Sequence, residues 1–389
     1  LLYIAEQVNK GNTAYTTGSY ILANDIDCKG EELNVIGDYS SEGAIFSGCF
    51  SCVTNSETGE MQRHTISNFT INSEASGYVG LFGAVFADMT VTSSGLFYGI
   101  RLDNFTINAG VSEITEESKT LTCGALIGYG VGANVYLCDA TNGEINLNAD
   151  QSYFSFAGGL IGYQQAFYEP NYDAYFPSEV TYASVDVDVN VLGGMALYAG
   201  GISGYIATNY PYGAAASIHN SYALGSVNGA LRSGGIAGGL GQYTVVSNCF
   251  ATGEISARSD SPIDDPLSTS DEYSYAYAGG LVGYFGGKHD AANGQYSKLV
   301  NCAVYADVSG YNAGGIIGHG WNGTQYYDMT GCLYVGDVIG NGGAAGAIVG
   351  YQETDSNTCT FTNVFWNETD GLGFYGKRDT ENQVYNNTS

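Results

Sequence analysis

The stretch Ala278-Gly279-Gly280-Leu281-Val282-Gly283-Tyr284 sets the plan of this chain. The same heptad returns at Ala157 to Tyr163, Ala199 to Tyr205 and Ala313 to His319, with worn copies at Tyr78 to Gly83, Cys123 to Tyr129, Ser233 to Gly239 and Gly346 to Tyr351. Its last glycine marks the register at Gly83, Gly128, Gly162, Gly204, Gly238, Gly283, Gly318 and Gly350, in steps of 45, 34, 42, 34, 45, 35 and 32 residues. A period of this length without helical spacing predicts a stacked repeat. The glycines let successive backbones turn and approach closely at one corner of each coil, and the Leu-Val pair supplies buried side chains. No helix follows the heptad and no Lys-Ser/Thr completes it, which argues against phosphate binding.

Between heptads the text alternates with period two, as in Asn248-Cys249-Phe250-Ala251-Thr252-Gly253-Glu254-Ile255. The expectation is an all-β parallel β-solenoid of about eight to ten coils, each of about three short strands, stacked about 4.8 Å apart. Residues 1–50 read as an N-terminal cap and first coil, with a helix over the first eight or so residues and a strand at Ser19 to Ala23. Residues 51–360 read as the repeat body with Tyr-rich and acidic insertions, and 361–389 as a C-terminal cap and polar tail. The opening at Leu1 reads as mid-element, which suggests that a segment has been removed ahead of it.

Composition narrows the function classes. The 389 residues carry 39 acids against 11 bases, a net charge of −28. That disfavours nucleic acid and anionic membranes. With 44 % hydrophobic residues the chain can bury a large core, and no apolar run is long enough to span a membrane. Five prolines, 57 glycines and 33 tyrosines fit a strand-rich chain with many turns.

The Gly-Gly-Leu-Val-Gly-Tyr core, with Asn-Cys/Ser-aromatic-Ala-x-Gly-x-Val downstream, resembles the GLUG-motif repeats of extracellular bacterial proteins. Tyr20 to Asp27 with Val35-Ile36-Gly37 is similar to that family's lead-in, Phe46 to Phe50 and His64 to Ile71 to its first coils, and Asn363 to Thr369 to its closing segment. The resemblance implies an extracellular or cell-surface, adhesin-like protein, or a module of a secreted protease, with no chemistry in the repeats. The chain departs from the family in its Tyr-rich insertions and in Cys49-Phe50-Ser51-Cys52.

Nine cysteines is an odd number, so at least one is free or pairs between chains. Cys138, Cys249, Cys302 and Cys332 share one repeat position with Ser221 and Val364, and so read as buried core thiols; an axial bridge such as Cys302 to Cys332 is the alternative. Cys28, Cys49 and Cys52 read as a region holding a disulfide. Cys123 and Cys359 have no assignment.

Candidate contact residues are the insertion aromatics Tyr163, Tyr168, Tyr172, Tyr175, Tyr210, Tyr212, Tyr273, Tyr275, Trp321 and Tyr326. Rings and acids gathered on one side of a solenoid suit protein contact or stacking on sugars. His319 reads as a substitute for the tyrosine ending other heptads. Of six sequons, Asn68 and Asn104 belong to the repeat text, Asn386 and Asn387 lie in the tail, and Asn322 and Asn367 are the better glycosylation candidates. Asp186 with Asp188, and Glu254 with Asp307 and Asp337, are the acids closest to a glycosidase-type or calcium arrangement, but no calcium loop motif supports them.

The expected reading is a non-enzymatic structural or adhesive surface protein without a cofactor, calcium being the one ion to consider. Its partner would be itself, another surface protein or a glycan. A fibre subunit and a carbohydrate-binding or carbohydrate-active β-helix are the alternatives.

Overall fold

The computed structural model describes residues 1–39, 44–54, 58–74, 77–110, 120–149, 154–193, 197–208, 216–259, 275–286, 289–290, 295–320, 327–352, 360–367 and 372–378. They form a parallel β-solenoid with four sheets, not three, because each heptad contributes two strands instead of a corner attached to one. In the coil around Gly279 the chain runs through Tyr277–Gly279 in the first sheet and Val282–Phe285 in the second. It then passes through Gln295–Val300 in the third and Ala303–Tyr305 with Val308–Gly310 in the fourth. Each strand pairs in parallel with its equivalent in the next coil, as Ala278 does with Ala313 and Val282 with Ile317. All eight heptads lie at the corner between the first and second sheets.

That corner explains the glycines by space. A Cβ on Gly279 would lie 2.0 Å from the Val282 carbonyl oxygen and 2.4 Å from the Gly318 amide nitrogen. One on Gly283 would lie 2.7 Å from backbone atoms of Arg232 and Ser233 in the preceding coil. Between them Leu281 and Val282 are fully buried, as are Leu160 and Ile161 or Ile316 and Ile317 in other coils. Each such side chain contributes on the order of 1.5–3 kcal/mol by leaving water. Cys123 now has a place: it pairs with Val79 and Ala157 and fills the alanine position of its heptad.

At the opposite corner, between the third and fourth sheets, the backbone is left-handed in coil after coil. Asn220, Asn248, Asn301 and Asn363 have φ between 49° and 53° there, and Gly99 and Gly331 serve the same turn. Asparagine tolerates this region because its short polar side chain bonds locally. Asn248 Nδ2 donates to Asn220 Oδ1 at 3.0 Å, and Asn301 Nδ2 to Asn248 Oδ1 at 3.3 Å. A longer ladder crosses the outer face of the fourth sheet through Asn72, Asn108, Asn146, Asn190 and Asn228, with amide bonds of 2.9–3.2 Å. Two residues break the corner rule: Leu137 (φ 53°) and Tyr182 (φ 57°). A bulky side chain here costs about 1–2 kcal/mol. Tyr182→Asn is therefore expected to raise stability by about 1 kcal/mol, read from urea denaturation midpoints; an unchanged or lower midpoint would contradict the reading of this corner.

At the amino end a helix, Leu2–Asn9, buries Ala5 and Val8, and a short second helix, Thr13–Thr16, follows where none was expected. Asn9 ties the helix to the first coil, donating to the Val35 carbonyl and accepting from the Gly37 amide, both at 2.8 Å. At the other end Tyr375–Arg378, expected as tail, adds a strand to the second sheet beside Val349–Gln352. A Cβ on Gly346 would lie 2.3 Å from the Gly376 amide nitrogen, so Gly376 repeats the marker-glycine position one coil further on. Only Gly373-Phe374-Tyr375 of the heptad text precedes it, with aromatic rings in place of the aliphatic pair and no alanine-glycine lead, which is why it was not legible. This segment lies over its own last coil; residues 379–389 are outside the described part.

Candidate functional site: the aromatic surfaces

In most coils the residue paired with Tyr277 on the first sheet or the residue paired with Tyr284 on the second carries a ring on the outer face. These rings meet between coils to form a seam along the solenoid. Tyr78 lies 4.9 Å from Tyr129, Tyr129 5.1 Å from Tyr163, Tyr163 5.5 Å from Tyr205 and Tyr205 5.0 Å from Tyr198, centroid to centroid. Further along, His319 stacks on Tyr277 at 4.4 Å and meets Tyr284 and Tyr351 edge-on. His319 thus stands where other coils have a ring-bearing tyrosine, fully buried. Many seam contacts are edge-to-face, the arrangement ring quadrupoles favour. Burial pushes the Tyr163 phenol up to about 12.

Arg232 sits in the middle of this seam and is fully buried. Its guanidinium carbon is 5.3, 5.8 and 5.1 Å from the ring centroids of Tyr198, Tyr277 and Tyr284. Facing aromatic rings stabilise a cation out of water. Sequence reading counted this arginine only among the scarce bases. The signal that would have found it is its position one residue before Ser233, where other coils carry Tyr198 or Tyr277.

Seam rings spend their faces on one another, so the expected contact tyrosines divide. Tyr163 belongs to the seam. Tyr168 and Tyr175 belong to a hairpin that leaves the second sheet, in which Ile161–Glu169 pairs antiparallel with Ala174–Phe176. Their rings lie 4.7 Å apart, the Tyr168 hydroxyl donates to Asp173 at 2.9 Å, and Phe167 packs on Phe176. Tyr172 at the tip is 70 % exposed and Tyr175 41 %. Tyr275 stacks on Tyr311 at the connection from the fourth sheet to the first. The acidic stretch around Asp260 to Glu272 joins this same connection, between Ala257 and Tyr277, and so does not follow a heptad as the other insertions do. Tyr210, Tyr212, Tyr273, Trp321, Tyr326 and Asn322 lie outside the described residues.

Cys138, Cys249, Cys302 and Cys332 are all buried at the third-to-fourth-sheet corner. They are free thiols, so no axial bridge joins Cys302 to Cys332. A hydrogen bond with the Cys249 thiol, and burial, hold the Cys302 thiol above its ordinary range. The disulfide expected among Cys28, Cys49 and Cys52 is absent too. Cys49 and Cys52 lie three residues apart on one extended strand, about 10 Å along it and beyond disulfide reach. Cys52 turns inward, its thiol donating to the Gly99 carbonyl at 3.3 Å. Cys359 lies outside the described residues. Native alkylation should therefore modify Cys28 and Cys49 quickly, and Cys123, Cys138, Cys249, Cys302 and Cys332 only on unfolding; rapid native labelling of the latter five would contradict their placement.

Two of the candidate acids are engaged by neighbouring coils. Asp188 accepts from the Ser226 amide and hydroxyl at 2.8 and 2.7 Å, and Asp307 accepts from the Asp337 amide at 3.0 Å. Asp186 points outward beside Asp188 on a strand whose valines face the core. Among the described residues no three His, Cys, Asp or Glu side chains are grouped to hold a metal ion. Asn68 and Asn104 spend their amides on the fold: Asn68 donates to Asp27 and accepts from Asn104. Asn367 is exposed and accepts from the Gly336 amide at 3.2 Å.

A family model described as the GLUG motif matches residues 229–256. The chain therefore carries a GLUG motif. The match begins in the fourth sheet at Gly229, passes through the first, second and third, and returns to the fourth at Ser256, so the motif is one full turn of the solenoid. No curated protein matches the chain.

Proposed function

We propose that this chain is a non-enzymatic structural and adhesive protein of the cell exterior, whose solenoid holds aromatic contact surfaces at fixed positions. The observation that carries the reading is the hairpin ending at Tyr172. It presents exposed rings away from a seam whose rings are spent on packing one another. Such rigid, amphipathic rings give contact area at low entropic cost. Surface location is supported by the acidic exterior and by the GLUG motif in the fifth heptad. Among the described residues no helix is long and apolar enough to cross a membrane.

A non-enzymatic role is supported by Asp188 and Asp307, whose carboxylates are each engaged by a backbone amide of a neighbouring coil. Calcium is treated as an accessory to adhesion, to be varied in the assay. The test is retention of labelled protein on immobilised extracellular-matrix proteins and glycans, with and without calcium, comparing wild type with Tyr172→Ser/Tyr175→Ser. Retention that falls at least about tenfold in the variant supports the reading; equal retention of both, or release of reducing sugar from a glycan, defeats it. Sedimentation of the same samples tests the fibre alternative, which requires wild type to be larger than a monomer.

A further inference from the structure

The outer face of the fourth sheet changes character along the solenoid. In the earlier coils one outward column carries Arg101, Asp139 and Ser184. The same column then turns apolar, through Tyr222, Phe250, Ala303, Leu333 and Phe365. Beside it, two residues further along their strands, stand Leu224 and Tyr305. Leu224, Phe250, Tyr305 and Phe365 are 39, 36, 50 and 43 % exposed. The core beneath them is already filled by their inward neighbours Ala223, Ala251 and Val304. A contiguous apolar strip left outside a packed sheet marks a contact surface.

A third column borders the strip with charge of one sign. Glu254, Asp307 and Asp337 are exposed and occupy equivalent places in consecutive coils, each just before the laddered residues Ile255, Val308 and Val338. Residues 222–230, 250–257, 303–310 and 333–340 of this sheet contain these three acids and no lysine, arginine or histidine. Arg258 lies past the end of its strand, and Lys298 belongs to the third sheet, where it stands beside Asp328. The border of the strip is therefore locally negative, as the chain is overall.

We propose that this strip binds a cationic amphipathic helix of another protein. The helix lies along the solenoid axis, with its apolar stripe on the strip and its lysines or arginines on the acid column. The steps from Tyr222 to Phe365 span about 19 Å, the length of about 13 helical residues. A helix advances about 5.4 Å per turn and the coils about 4.8 Å per step, so stripe and strip stay nearly in phase. An extended peptide repeats its face about every 6.6 Å and loses that phase. It also finds no edge to extend, because the strands of these coils are paired on both sides. A second copy is disfavoured by charge, since it brings the same acids and a net −28. It is disfavoured by area as well: the strip covers on the order of 300 Å², below the about 800 Å² per partner of a stable dimer. Opposite charge on the helix speeds its approach and fixes which flank meets the acids.

Fluorescence titration with two synthetic peptides of leucine and lysine tests this, at a salt concentration that screens general attraction. One peptide carries a single apolar stripe at helical spacing; the other has the same composition in an order without a stripe. Wild type is expected to bind the striped peptide at least about tenfold more tightly. Leu224→Ser/Tyr305→Ser, at exposed positions and so without loss of melting temperature, is expected to remove that advantage. Glu254→Gln/Asp307→Asn/Asp337→Asn keeps an acceptor for the Asp337 amide and is expected to weaken striped binding about tenfold. Glu31→Gln/Glu32→Gln/Glu60→Gln changes the net charge equally at exposed sites in the early coils and is expected to leave binding as it was. Tyr172→Ser/Tyr175→Ser should bind as wild type does, so failure here is distinguishable from failure of the hairpin reading. Equal binding of the two peptides, an advantage that survives Leu224→Ser/Tyr305→Ser, or equal weakening by both acid triples would overturn the proposal. So would binding of a neutral oligosaccharide such as cellohexaose in place of the striped peptide.

Discussion

Replacing Gly279 by alanine should destabilise the protein by about 3 kcal/mol or more, enough to unfold the coils around it at moderate urea. The added methyl would lie 2.0 Å from one backbone oxygen and 2.4 Å from a backbone nitrogen of the next coil. Neither atom belongs to a flexible side chain, so relief requires the two coils to separate and their ladder to loosen. Gly30 is the comparison: it has φ +82° but nothing within 4 Å of an added Cβ. Gly30→Ala should cost only the conformational term, about 1–2 kcal/mol. The two values come from denaturation midpoints at constant slope. Equal losses would mean that the heptad glycines serve backbone freedom instead of close approach.

The second large effect is alkaline unfolding. Burial raises the Cys123 and Cys138 thiols from an ordinary value of 9.0 to about 12, and the Tyr163 phenol from 10.0 to about 12. In each case the folded state disfavours the anion, so the unfolded chain ionises first. The stability these groups support is complete below their unfolded values, near 9 and 10, and falls as pH rises toward about 12. Each pH unit inside that window costs about 1.4 kcal/mol per group, which for two buried thiols sums to several kcal/mol by pH 12. Circular dichroism across pH 8 to 12 should show cooperative loss of β-structure above about pH 9. Cys123→Ala/Cys138→Ala should move that loss upward; a flat profile to pH 12 would contradict the burial of these side chains.

The parts of this architecture legible in sequence are those whose cause is local. A heptad glycine is required by contacts that recur identically in each coil, so the text repeats and the corner is visible. The column holding Cys138, Cys249, Cys302 and Cys332 was legible for the same reason: Ser221 and Val364 at equivalent places point to a small buried site. What was hidden depends on neighbouring coils. Arg232 looked like one more base until Tyr198, Tyr277 and Tyr284 were placed around it. Tyr182 drew no reading, because no sequence signal records a left-handed turn except the asparagines standing there in other coils. The disulfide expected within Cys28, Cys49 and Cys52 rested on their nearness in sequence, whereas Cys49 and Cys52 lie on one extended strand and Cys28 on another.

The central claim is that each heptad copy advances the chain by one coil, in one continuous stack. Spin labels at Asn108 and Ser309 test it most directly, in a background with Cys28 and Cys49 replaced by serine. Both positions belong to the outward column of the fourth sheet, linked through Asn146, Asn190, Asn228 and Ser256, five coil steps apart. At about 4.8 Å per step, a pulsed dipolar measurement should give one narrow distribution centred near 24 Å. A broad or divided distribution, or a centre displaced by a coil step or more, would contradict the stacking on which the seam and the hairpin both depend.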